Sequence, residues 1–207
     1  MEDRKLTEKE SLEVITSMIA RTKERYLDDG NILLMWGYLA VFTAILVWVL
    51  LAITRQSAWN FLWFMMPLVG GVATRAMSRK QLRERGVRTF TDRATSELWA
   101  IAGSSPIWVA VVCLILQCLT GNDCWGAMLA YPLIVVPFAE IAQGILIKED
   151  SLIMGGLTGL LIGILTICCI AGGIVLHANW FQPLFILAFV AMMIVPGHIL
   201  NRKAKRE

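Results

Sequence analysis

Glu140 is the residue of this chain best placed to do chemistry, because it is a carboxyl set inside an otherwise uncharged apolar run. It stands eight residues before Lys148, which is about 12 Å along a helix that rises about 1.5 Å per residue. An ionisable group at that depth is costly and is by default a functional-site hypothesis with a partner to be named. Gln143 falls one turn on, on the same helix face. Arg75 and His198 lie near the matching ends of their own apolar runs and are the candidate partners. Pro132 and Pro137 precede Glu140 and should free backbone carbonyls or bend the helix. Two chemistries fit this set. One is a proton or cation site with Glu140 as the titrating group. The other is a carboxyl held neutral, or paired with Arg75, that joins helices.

The remaining reactive side chains are weaker candidates. His198 follows Pro196-Gly197 and reads as an interfacial residue, while His177 sits in a short turn with no second ligand nearby. Two histidines without acidic or cysteine neighbours at ligand spacing make a poor metal site. The five cysteines (Cys113, Cys118, Cys124, Cys168 and Cys169) show no metal spacing either. A Cys118–Cys124 or Cys124–Cys168 bridge is one reading, and small apolar thiols in helices is the favoured one. No P-loop, no Gly-x-Ser-x-Gly elbow, no His-Glu-x-x-His and no nucleophile–base set is visible. The expectation is therefore a protein without enzymatic activity and without a cofactor. Gly155, Gly159 and Gly163 fall four apart, a doubled GxxxG face on which another helix can approach closely.

The elements that must position these residues follow from composition. Of 207 residues 57% are hydrophobic and 17% charged, whereas soluble domains run at about 45–50% and about 25%. The charges are clustered, leaving six apolar runs: Ile32–Ile53, Ala58–Thr74, Leu98–Leu119, Trp125–Ile147, Leu152–Leu176 and Trp180–Leu200. A span needs about 20 apolar residues, so the second is the shortest. The fold class is an all-α integral membrane protein, with six transmembrane helices as three hairpins over 31–207. Residues 1–30 form a separate polar segment. There, Thr7 and Glu10 make a capping box, and Leu12, Ile15, Ile19, Thr22 and Tyr26 make one apolar stripe on a helix over roughly 8–27. This segment lacks the apolar core and small-residue cleavage site of a signal peptide.

Arg75, Arg79, Lys80, Arg83, Arg85, Arg88 and Arg93 crowd the basic loop 75–97. In a chain this apolar such a cluster stays cytoplasmic and faces lipid headgroups. Of the 19 Lys and Arg residues all but Arg55 fall on that side, so both termini are expected in the cytoplasm. Trp59, Trp125 and Trp180 each open an even-numbered span at its far edge, where indole suits the membrane boundary. Topology and lipid thus account for the basic residues, and nucleic acid is excluded as a partner. The expected partners are the lipid bilayer and, through residues 1–30, a second copy or a cytoplasmic protein.

The stretches GNILLMWGYL, TFTDRATSELW, PFAEIAQGILIKEDSLIMGGL and IVPGHILNRKAK resemble a family of uncharacterised six-span inner-membrane proteins of similar length from Bacteroidales-type bacteria. The resemblance implies a setting, the inner membrane of a Gram-negative anaerobe, and assigns no catalytic residue. On the sequence alone a non-enzymatic regulatory or interaction protein ranks first. A small carrier or channel with its site at Glu140 follows closely.

Overall fold

The computed structural model describes Thr7, residues 12–14, Thr16, and residues 30–85, 90–122 and 124–206. Of the amphipathic helix expected over 8–27, residues 12–14 are helical and the Thr16 hydroxyl donates to the Leu12 carbonyl at 2.7 Å. The rest of that helix lies outside the described residues, as does Arg88.

Among the described residues six helical segments are long and apolar enough to cross a membrane, and no strand is present. The chain is an all-α multi-pass membrane protein. The first span is α1 (Asn31–Thr54), which ends where Arg55 turns into the left-handed region at φ 55°. A 3₁₀ turn (Ser57–Phe61) leads into α2 (Leu62–Arg85), and α3 (Phe90–Thr120) follows. A single helical turn (Ala127–Ala130) precedes α4 (Pro132–Ile147). Only Lys148 and Glu149 separate α4 from α5 (Asp150–Ala171). The last span is composite: α6 (Ala178–Phe189), a π-helical segment (Val190–Ile194) and α7 (Val195–Ala204).

Three boundaries differ from the expectation. The segment expected as a loop over 75–97 is helical as far as Arg85 and again from Phe90, so α2 and α3 carry their basic ends beyond the apolar stretch. Helix hydrogen bonding is satisfied within the chain and needs no lipid, so nothing obliges a helix to stop at the apolar limit. The fourth span is broken at Tyr131, because Pro132 has no N–H to continue a ladder and instead opens a new helix. The fifth stops at Ala171, where Gly172 and Gly173 (φ 70°) make the turn.

The packing is uneven. The helix pair α4–α5 is the tightest, α1 lies against α6 and the π segment, and α5 also lies against the π segment. Helix α2 packs mainly on α1, and α3 mainly on α4. In lipid, apolar character alone does not draw helices together, so small residues and polar contacts decide who touches whom. Leu33, Gly37, Ala40, Ala44 and Val47 are the buried stripe of α1. A Cβ on Gly37 would come within 2.9 Å of Ile194 and 3.0 Å of Met193. On the facing side Phe181, Phe185 and Phe189 stack at centroid spacings of 5.9 and 4.8 Å, and Trp63 of α2 meets Phe185 edge-on at 5.1 Å.

Candidate intramembrane site

Glu140 sits on the buried face of α4 with Leu133, Pro137, Gln143 and Gly144. Its side chain has 0% exposure, and neither carboxylate oxygen has a hydrogen-bond partner. Most buried polar groups are paired, so an orphaned carboxyl calls for an explanation. Its immediate neighbours are backbone and apolar atoms. A Cβ built on Gly155 of α5 would lie 3.2 Å from Glu140 Oε1, 3.1 Å from the Ala191 carbonyl oxygen and 2.7 Å from Pro196 Cγ. Gly155 thus opens a gap that Glu140 enters from α4 and the π segment enters from the last span.

The glycine face of α5 serves both neighbours. A Cβ on Gly156 would meet Ile141 at 2.6 Å and the Pro137 carbonyl at 2.9 Å, and one on Gly163 would overlap the Leu133 carbonyl. Gly159 is shared, with Met192 Sδ at 2.6 Å and Pro137 Cγ at 3.0 Å. The glycine face of α5 therefore brings its backbone close to that of α4 on one side and to that of the π segment on the other. That close approach keeps water from Glu140.

The π segment has a backbone cause. The Val195 N–H donates to the Val190 carbonyl, five residues back, in place of the Ala191 carbonyl. The next residue, Pro196, has no N–H to give. The Ala191 carbonyl is therefore left without its α-register and its π-register donor. Single π turns of this kind recur at functional sites.

The four polar residues grouped by sequence do not converge. Gln143 is buried, and its Oε1 accepts from Trp99 Nε1 of α3 at 2.7 Å. His198 Nε2 and Tyr38 Oη are 2.7 Å apart, tying α7 to α1. Arg75 is exposed. Glu140 bonds to none of them, so an Arg75–Glu140 helix-joining pair is absent. Arg79, Lys80 and Arg83 are exposed at the same end of the bundle.

Two more cross-helix pairs appear there that sequence reasoning missed. Lys203 Nζ meets Glu149 Oε2 at 2.7 Å, and Asn201 Nδ2 donates to Asn31 Oδ1 at 2.8 Å. With Tyr38–His198 they hold α7 to its neighbours on the basic side of the site. Their only advance signal was the presence of polar residues at both ends of apolar runs, which does not pair them. The Ala191 carbonyl was also missed, although Pro196 inside a span was a usable signal.

The five cysteines are free thiols, with Cys113 Sγ 3.3 Å from the Cys124 carbonyl. Among the described residues no group of three His, Cys, Asp or Glu side chains is arranged to hold a metal ion. No protein-family model, no curated protein and no solved structure matches the chain.

Proposed function

We propose that the protein is a small carrier or channel whose ion site is Glu140. The observation that supports this reading is the fully buried carboxyl with both oxygens unpaired, beside a π turn that deprives a carbonyl of its helical donor. A bare charge there would be uncompensated, at a cost of about 3 kcal/mol or more within a membrane. Glu140 must therefore hold a proton or a cation. Broken helices with freed carbonyls near an acidic side chain are the usual construction of ion sites in secondary transporters.

The reading places the chain in the cytoplasmic (inner) membrane with both termini inside. The support is the order of the sequence, in which all but Arg55 of the 19 Lys and Arg residues fall in the segments that alternating spans assign to one side. Similarity to the Bacteroidales-type membrane family remains part of the proposal and supplies no activity. A regulatory role through residues 1–30, with a second copy or a protein partner, lacks any comparable geometric support among the described residues.

The test is proton flux into proteoliposomes driven by a potassium diffusion potential and read by an entrapped pH dye. Wild-type protein should raise the flux above that of protein-free vesicles, and Glu140→Gln and Glu140→Leu should abolish the increase. A residue that served only to join helices would make Glu140→Leu unfold earlier. Because no side chain and no backbone N–H donates to Glu140, no charged or donor partner is orphaned and Glu140→Leu should instead unfold at nearly the wild-type temperature. Wild-type flux no greater than the vesicle background would overturn the proposal.

A further inference from the structure

Resting on the reading of Glu140 as an ion site, the geometry points to the proton as its ligand, held by Glu140 and donated in a hydrogen bond to the Ala191 carbonyl across the gap at Gly155. The two oxygens approach one point from different helices, at 3.2 and 3.1 Å from where a Gly155 Cβ would stand. The carbonyl is available because the π turn diverts the Val195 N–H and Pro196 supplies none.

The surroundings argue against a metal cation. Hard cations take about six oxygen ligands, and here the gap at Gly155 offers one carboxylate oxygen and one carbonyl, with Pro196 Cγ as the third near atom. The amide oxygen of Gln143, one turn away, already accepts from Trp99. A proton needs a single acceptor, which this site provides.

No neighbouring charge competes for that role. Among the elements packed on α4, α3 carries Asp92, Arg93 and Glu97 in its first turns, where Arg93 pairs with Glu97 at 2.8 Å on the exposed surface. Helix α5 carries Asp150 at its exposed first position together with the thiols Cys168 and Cys169 at its far end. Cys113 of α3 lies toward that same far end. Helix α7 carries His198, bonded to Tyr38, with Arg202 and with Lys203, which is paired to Glu149. None of them bonds to Glu140.

Infrared difference spectra of the full chain in lipid, taken between acidic and alkaline buffer, read this directly. Wild type should show a protonated-carboxyl C=O band, at the position of a hydrogen-bonded acid, that is lost in Glu140→Gln. At fixed pH, replacing choline chloride by sodium or potassium chloride should leave the band in place. Pro196→Ala restores an N–H beside the π turn, so the band should shift to the frequency of an unbonded acid. The inference is overturned by absence of a Glu140-dependent band, by removal of that band with either metal salt, or by an unshifted band in folded Pro196→Ala. The first two arms need no variant at position 196. A sodium-sensitive band with Glu140-dependent flux would sink the proton assignment and leave the carrier reading standing. A sodium-insensitive band without flux would do the reverse.

Discussion

Helices α4 and α5, and helices α2 and α3, are each consecutive spans with basic residues near their junction, yet they are built on opposite terms. Between α4 and α5 only two residues intervene, Lys148 taking the left-handed conformation at φ 58° and the Glu149 N–H closing on the Gly144 carbonyl at 2.8 Å. Gly156 and Gly163 then bring the two backbones into contact over several turns. Helices α2 and α3 each lean on a different neighbour, α1 and α4 respectively. They turn bulky side chains outward, among them Val72, Ile101 and Trp108, each more than 70% exposed to what is lipid in a membrane. Of their three glycines Gly71 and Gly103 face open space, and Gly70 lies against the indole side chain of Trp36 rather than against backbone. The lipid-facing pair is the less hydrophobic of the two, so apolar character does not account for the difference. Lipid solvates an apolar face as well as another helix does, and dispersion between closely approaching backbones supplies the preference.

Gly163→Ala should break the comparison most forcefully. Its methyl would overlap the Leu133 carbonyl, and backbone cannot rotate aside as a side chain can. Thermal unfolding in detergent should report a loss of about 2 kcal/mol or more. Tolerance of this change would mean that the α4–α5 seam is looser than described.

An intermediate effect is expected where the lipid-facing pair reaches the core. Trp99→Phe removes the indole donor to the buried Gln143 oxygen. Membrane hydrogen bonds contribute about 0.6 kcal/mol on average and at most about 1.7. The unfolding midpoint should therefore fall by less than the Gly163→Ala shift. A loss as large as that of Gly163→Ala would show that α3 is anchored chiefly through this one bond.

Gly103→Ala should have the smallest effect and the opposite sign. No atom lies within 4 Å of the added Cβ, and replacing a mid-helix glycine recovers about 0.5–1 kcal/mol of backbone entropy at most. A clear destabilisation would reveal a close neighbour of α3 in the membrane.

Which parts of this were legible beforehand follows from the kind of signal each carries. The six spans and the place of Glu140 within the fourth are one-dimensional quantities, set by run length and charge spacing. The GxxxG face is also local, because the absence of side chains marks it whatever the partner. Residues 75–85 and 90–97 lie outside the apolar runs and yet are helical, because run length marks the apolar layer and a helix tolerates charges once it leaves that layer.

What the sequence by itself determined is that the chain crosses a membrane, with one carboxyl inside it. What only the tertiary structure decided is what that carboxyl meets. In water, the apolar stripe of a helix tells which side faces inward. Within a bilayer every face of a span is apolar, and outside the glycine face of α5 a span such as α1 shows little in its pattern to distinguish the lipid side from the packed side. Rotation of each helix about its axis is then set by glycine contacts and hydrogen bonds to distant segments. Those rotations bring Glu140 to Gly155 and the Ala191 carbonyl, and leave Arg75 on the outside.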